Sequence, residues 1–308
     1  MSLKILFMGT PEFAVPILNS IHRSKYELLS IYTQPPKKKS RGQKVTSSPI
    51  HQYAEKFKIP IRCPDNINTE SEYKYIENLN PNIVIVVAYG KIIPEKILNL
   101  SNTIFINIHA SILPKWRGAA PIQRAIMNMD KETGISIMKI VKELDAGPVM
   151  MCEKINISNV CNYETLSEKM STLAASLIIN SLEIIEGKNE KFIPQDSAKA
   201  TYAKKINKSE SKISWRDKAR QVVAKINALY PNPGSWFELN GLRVKVLKAK
   251  EVNKTGKPGE IIDDKFTIAC IENSIQILEL KREGKNKMNA SDFLKGNRLK
   301  IGTILSET

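Results

Sequence analysis

At 308 residues with 42% hydrophobic composition, the chain is long enough for two hydrophobic cores of ordinary size, which excludes a small scaffold stapled by disulfides. Cys63, Cys152, Cys161 and Cys270 stand far apart with no CxxC pair, so neither a zinc site nor a disulfide framework is expected, and no metal is called for. The formal charge is +16, and from Asn207 onward 20 Lys and Arg stand against 12 Asp and Glu in 102 residues, twice the net charge density of the preceding 206. Such a surplus gathers polyanions, nucleic acid above all, although a composition rich in Lys, Asn and Ile produces the same excess with no partner. The opening MSLKILFMGTPEF lacks a charged leader before an apolar stretch, and no window approaches 18 uninterrupted apolar residues. A soluble, unprocessed, cytoplasmic protein with no membrane association is the expectation.

Leu3–Met8 reads as a short strand broken by Gly9-Thr10-Pro11, and Glu12 to Ser24 as an amphipathic helix with Pro16 in its first turn. A strand over Leu28–Thr33, a loop over Gln34–Pro49, helices over Pro49–Phe57 and Glu70–Leu79, and the β-branched run Ile83–Val87 continue the alternation. Further strands are expected at Thr103–Ile108, Ile135–Val141 and Val149–Ile155, with helices at Pro121–Met129 and Glu164–Glu186. This predicts an α/β domain over residues 1–188, a mostly parallel sheet with helices on both faces. Residues 189–206 are polar and weakly periodic, as a linker is. Beyond them a helix over Lys218–Leu229 precedes short β-like runs at Trp236–Leu239, Val244–Ala249, Glu260–Ile262, Phe266–Cys270 and Ile275–Leu280. Their spacing suggests a small OB-like β-barrel over residues 207–308.

Asn107 and His109 lie two apart at the carboxyl end of a predicted strand, so both side chains point to one face at the edge where open α/β sheets place their ligands. An amide beside an imidazole suits a carbonyl turning tetrahedral, because both can donate to the developing oxyanion, and the imidazole can move a proton near neutral pH. Asp145 falls in a turn between two predicted strands, where a carboxylate can orient that imidazole and help take a proton from an attacking amine. Each residue alone has an ordinary explanation, since turn aspartates usually bond their own backbone; the combination is specific.

The chain resembles the methionyl-tRNA formyltransferases through FMGTPEFAVP (7–16), QPPKKKSRGQK (34–44), VVAYGKIIP (86–94), NIHASILPKWRGAAPIQ (107–123), LDAGP (144–148) and PNPGSW (231–236). The resemblance implies a Rossmann-like formyltransferase domain followed by a C-terminal barrel that helps to hold tRNA. It implies that Asn107, His109 and Asp145 form the catalytic triad, with Ser111, Ile112, Leu113 and Pro114 as the signature after the catalytic strand, Ile112 standing where the family has Leu. It implies that a reduced folate, 10-formyltetrahydrofolate, sits near Val87, Ala88, Tyr89, Gly90 and Leu144, and that methionyl initiator tRNA is the acceptor, bound by a monomer. Gly9, Thr10 and Pro11 shape the first loop beside that site; a lone glycine there lacks the three-glycine spacing a dinucleotide needs. Gln34–Pro49 holds Lys37, Lys38, Lys39, Arg41 and Lys44 with no acid, and its Pro and Gly residues argue against helix or strand. The family uses this loop on the tRNA acceptor end, for which Lys38, Arg41 and Lys44 are candidates, Arg41 foremost because its planar fork clamps phosphate or stacks on a base. Arg243 and Lys245 share one strand face and are candidates for tRNA phosphates. Two other readings compete. One is a formyltransferase acting on a small amine, against which the basic regions argue; the other is a non-catalytic RNA-binding protein, against which the intact triad argues.

Overall fold

The apolar run near the N-terminus forms β1 (Lys4–Gly9), an interior strand of a seven-stranded sheet. The computed structural model describes residues 2–39, 44–158, 161–297 and 299–305. In chain order β2 (Glu27–Tyr32), β3 (Lys37–Lys39), β4 (Lys44–Thr46), β5 (Ile61–Arg62), β6 (Ile83–Val87) and β7 (Ile104–His109) follow. Next come the two-residue β8 (Arg117–Gly118), then β9 (Glu132–Lys139), β10 (Val149–Asn156) and the two-residue β11 (Tyr202–Ala203). The sheet order is β10-β9-β7-β6-β1-β2-β5. Parallel pairing runs from β7 through β6, β1 and β2 to β5, and β9 lies antiparallel to β7. The mostly parallel sheet expected from the alternation is therefore present. Leu6, Met8, Val84 and Val86 bury one face and Ile5, Phe7, Ile83 and Ile85 are buried between them in sequence. Strands covered on both faces have no polar side to show, which is why they read as unbroken apolar runs.

The helices are α1 (Val15–His22), α2 (Pro49–Phe57), α3 (Glu70–Leu79), α4 (Glu95–Leu98), α5 (Pro121–Met127) and α6 (Tyr163–Glu186). Residues Glu12–Ala14 form a separate 3-10 turn ahead of α1, so the helix expected from Glu12 begins three residues later. Ser48 caps α2 by accepting from His51 N–H, Thr69 caps α3 by accepting from Glu72 N–H, and left-handed Lys58 and Asn80 end the two helices.

Glu72, 5% exposed, accepts from Arg62 Nη2 at 2.6 Å and Nε at 2.9 Å and from the Tyr32 hydroxyl at 2.7 Å. The Arg62 guanidinium holds its carboxyl below the ordinary value of 4.5. Glu72→Ala should therefore cost about 1–3 kcal/mol, with the Tyr32 hydroxyl and the half-exposed guanidinium left unpaired. Because the folded value is depressed, this stability is present above the ordinary glutamate value and lost as pH falls through the lower folded one. Denaturant melts of wild type and Glu72→Ala at pH 7 and pH 3 should converge at the acid end.

Residues Gln34–Pro49 depart from the expected loop: β3 and β4 pair antiparallel, Lys37 opposite Thr46 and Lys38 opposite Val45. Pro35 and Pro36 precede β3 in sequence, so neither removes a donor from the ladder.

Contacts within the chain define two compact units, one of Met1–Gly118, Thr133–Ile155 and Ser167–Tyr202, the other of Ala119–Glu132, Asn156–Leu166 and Ala203–Thr308. In the second, α7 (Ala219–Leu229) packs against α5, and Arg124 holds Glu210 with both terminal nitrogens at 2.7 and 3.2 Å. Its sheet comprises β12 (Ser235–Leu239), β13 (Leu242–Val252), β14 (Thr267–Ala269), β15 (Ser274–Arg282) and β16 (Lys287–Asn289), followed by α8 (Ala290–Gly296). The order is β12-β13-β15-β14, with β16 also on β15, all antiparallel. Trp215, Phe237, Phe266 and Phe293 fill its core, the last two stacked at 5.5 Å. The strand expected at Glu260–Ile262 is reduced to single bridges, Glu260 to Ile304 and Ile261 to Ile268. Among the described residues no helix is long and apolar enough to cross a membrane.

Candidate active site

β1, β2, β6 and β7 run parallel and adjacent, so the loops leaving Gly9, Tyr32, Val87 and His109 emerge along one carboxyl edge. Asn107 and His109, opposite Met138 and Ser136 of β9, share a strand face as the spacing predicted. Asp145 comes to them from the connection between β9 and β10. Its Oδ1 lies 3.4 Å from Asn107 Nδ2, and its Oδ2 accepts Gly118 N–H at 2.8 Å and lies 3.6 Å from His109 Nδ1. His109 is 5% exposed, and its Nε2 sits 2.9 Å from the Trp116 carbonyl, which can only accept. Nε2 therefore carries a proton, and the ring nitrogen available for proton exchange is Nδ1, beside the carboxylate. Neither the 3.4 Å nor the 3.6 Å contact is a tight hydrogen bond, so the Asn107 amide and His109 Nδ1 are only loosely engaged with the carboxylate.

The loop after β7 is built from inside. Ser111, fully buried, donates to Lys115 O; Ser136 Oγ donates to Ser111 O at 2.7 Å and accepts Leu113 N–H at 3.1 Å. The Leu113–Pro114 bond is cis, and Trp116 is left-handed at φ 61°. Ile112, Leu113 and Pro114 are half-buried. The neighbouring loop is also engaged: Tyr89 O accepts from Thr10 Oγ1 at 2.9 Å and from Gln34 Nε2 at 3.1 Å, and Gly90 O from Gln34 Nε2 at 3.2 Å. The backbone expected to be open to a pterin is thus partly taken by protein donors at Tyr89 and Gly90. Val87 is buried, Ala88 is exposed with φ 46°, and Leu144 is 68% exposed beside Asp145. Gly9 closes β1 where a Cβ would stand 2.7 Å from the Phe7 ring, Thr10 makes the bond just given, and Pro11 opens the 3-10 turn.

Lys38 and Lys44 lie in the β3–β4 ribbon, and Arg41 lies outside the described residues. In the second unit Val244 and Val246 are buried while Arg243 and Lys245 alternate with them, as expected. Register adds residues that sequence reasoning missed. Lys245 faces Trp236 on β12 and Lys281 on β15, and the Arg243 guanidinium lies 4.2 Å from the Trp236 ring centroid. Burial, then Lys281, lowers the Lys245 ammonium below its ordinary value. Like charges directly opposed weaken a sheet, whereas Arg243 stands opposite Glu238 in the same ladder.

Residues 3–182 match the family model described as formyl transferase, and residues 205–298 match the formyl transferase C-terminal domain. The chain is 50% identical over 308 residues to the methionyl-tRNA formyltransferase of Pelagibacter ubique, covering 99% of each. The chain belongs to the methionyl-tRNA formyltransferase family. Among solved structures it resembles HypX from Aquifex aeolicus in complex with tetrahydrofolic acid, at TM-score 0.67 and 16% identity over 96% of this chain but 47% of that one. It also resembles the methionyl-tRNA formyltransferase from Clostridium thermocellum, at TM-score 0.57 and 18% identity over 82% of this chain and 95% of that one. At those identities the two likenesses speak to fold. Members of the family are folate-dependent formyl transferases, and in this chain Asn107, His109 and Asp145 come together at the carboxyl edge of the sheet.

Proposed function

We propose that this chain transfers a formyl group from 10-formyltetrahydrofolate to the α-amino group of methionyl initiator tRNA. The observation that carries the reading is the meeting of Asn107, His109 and Asp145 at the carboxyl edge of the sheet, in a member of this family. The folate supplies the formyl group. Val87, Ala88, Tyr89, Gly90, Ser111, Ile112, Leu113, Pro114 and Leu144 form its surroundings. A polar edge with donors not yet committed suits an acyl oxygen better than an apolar slot would. The α-amine attacks the formyl carbon while Asn107 Nδ2 and, from Nδ1, protonated His109 donate to the formyl oxygen. Asp145 balances the imidazolium and assists removal of the amine proton, and collapse of the tetrahedral adduct breaks the bond between the formyl carbon and the folate nitrogen, which leaves with a proton as the free folate amine. Gly9, Thr10 and Pro11 shape the near side of the site, and Lys38, Arg41 and Lys44 meet the acceptor end of the tRNA.

Residues 1–188 are the catalytic domain, 189–206 the connecting segment and 207–308 the tRNA-binding module, in a cytoplasmic monomer. A parallel bridge from Lys212 to Trp236 of β12 and an antiparallel one from Ile261 to Ile268 of β14 add backbone pairing at both edges of the sheet, which supports an OB-like form for that module. The test is incubation with 10-formyltetrahydrofolate and charged initiator tRNA, followed by analysis for formylmethionine. Formylation of a free sugar amine or ribonucleotide amine in its place would overturn the choice of acceptor.

The basic face makes a second measurable claim. Affinity for tRNA should fall steeply with salt, and replacing both Arg243 and Lys245 by Gln should flatten the slope of log K against log salt by about one unit per cation removed. Folate affinity should stay within about twofold. A tRNA affinity that ignores salt contradicts this use of the face.

A further inference from the structure

Resting on the reading of Asn107, His109 and Asp145 as the reacting group, we propose that Gln195 and Thr201 are positioning residues of the formyl-transfer site. The segment between the two family-model matches would then be a strap that sets the catalytic side chains, rather than a passive linker. Gln195 Nε2 donates to Asp145 O at 2.9 Å and to Gly147 O at 2.7 Å, while its Oε1 accepts from Arg117 Nε at 3.1 Å and Nη2 at 2.8 Å. The two carbonyls can only accept and the guanidinium can only donate, so the orientation of the amide is fixed and its bonding capacity is filled. Arg117 is 5% exposed, and among the described residues its guanidinium meets this amide oxygen and no carboxylate. A buried cation with a neutral partner is a costly arrangement to keep for packing alone. What it holds is a turn: Asp145 sits in the left-handed region at φ 50°, which aspartate adopts more readily than most residues, and the Gln195 bonds to its carbonyl and to that of Gly147 set where its carboxylate points.

Thr201 acts on the other partner. Its Oγ1 accepts Trp116 N–H at 2.9 Å, its carbonyl accepts Arg117 N–H at 2.8 Å, and its own N–H reaches Pro114 O at 3.3 Å. Trp116 O is the acceptor that fixes the proton on His109 Nε2. One strap therefore holds the peptide that sets the imidazole and the turn that carries the carboxylate. The antiparallel bridge between Val149 and Ile193 ties that strap to the start of β10.

The test uses the full chain with Gln195→Met, which keeps the volume and removes the bonds, and Gln195→Glu, which keeps the Arg117 contact but turns an acceptor toward two carbonyls. Thr201→Val and Thr201→Ser complete the set. Both Gln195 variants should lose about 10- to 100-fold in kcat, with KM for folate and for charged tRNA within about threefold, because misplaced reacting groups cost turnover and not ground-state binding. Thr201→Val should lose about tenfold and Thr201→Ser should restore kcat to within about twofold. An activity-independent arm reads the ring nitrogens of His109 by NMR of histidine-labelled protein at alkaline pH, assigned by their loss in His109→Asn. Wild type should carry its proton on Nε2, and Thr201→Val should shift the ring toward a mixture of tautomers. Folded Gln195→Glu with kcat within twofold of wild type, a Thr201→Ser loss equal to that of Thr201→Val, or an unchanged tautomer in Thr201→Val would overturn the proposal. If wild type formylates nothing, the functional reading fails and the tautomer measurement alone decides the strap.

Discussion

Replacing His109 by Ala should lower kcat by about two to four orders of magnitude, and Asp145→Asn should do nearly as much, with KM for either substrate changed by no more than a few-fold. The geometry says why. His109 Nε2–H is committed to Trp116 O, so proton traffic passes through Nδ1, and the Asp145 carboxylate stands 3.6 Å from it. An Asn at 145 keeps its oxygen on Gly118 N–H, which turns its NH2 toward Asn107 Nδ2 and sets donor against donor where the carboxylate accepted. The imidazolium also loses its countercharge, which matters most in this enclosed setting. Thermal melting should move by no more than a few degrees, since each side chain makes few contacts that folding needs. Rates within threefold of wild type for either folded variant would remove that residue from the mechanism.

The parts of the protein that could be read from the sequence are those written in one stretch of chain. Ile83–Val87 was legible as a central strand because burial on both faces leaves an unbroken β-branched run. Asn107 and His109 were legible as a pair because a strand repeats every two residues and a parallel sheet puts its ligands at one edge. Arg243 and Lys245 followed from the same alternation, but Trp236 and Lys281 beside them needed the register across β12, β13 and β15. The β3–β4 ribbon was missed because its lysines show no apolar face from which to infer a strand. Gln195 and Thr201 carried no signal at all. They act through backbone carbonyls and amides 50 and 85 residues away, and a polar segment without periodicity looks the same whether it dangles or binds. Gln34 lies between these cases: it leaves β2 at the site edge, yet its bonds to Tyr89 O and Gly90 O are visible only in three dimensions.

The largest effect expected from a residue that touches no substrate is that of Gly147→Ala. A Cβ at Gly147 would stand 1.8 Å from the Lys139 carbonyl oxygen and 3.4 Å from Val141 Cγ1, and the first of these is backbone that cannot swing aside as a side chain would. Lys139 N–H is itself bonded to Pro148 O at 2.9 Å, so the two sides of the β9–β10 connection are latched together at this point. Relief must come from displacing residues 145–148 away from β9. That movement carries the Gly147 carbonyl off Gln195 Nε2, releases the hold on Asp145 O, and shifts the Asp145 carboxylate two residues upstream relative to His109. Overpacking of this kind costs about 1–3 kcal/mol of stability, small enough to leave the chain folded at room temperature. A displacement near 1 Å of a reacting group costs about 100-fold in turnover. The expected result is a melting temperature lowered by a few degrees, tRNA affinity unchanged, and kcat per folded molecule reduced at least about 100-fold. Kinetics near those of wild type in the folded variant would mean that the turn tolerates the extra carbon, and that the placement of Asp145 does not depend on the close approach of Gly147 to β9.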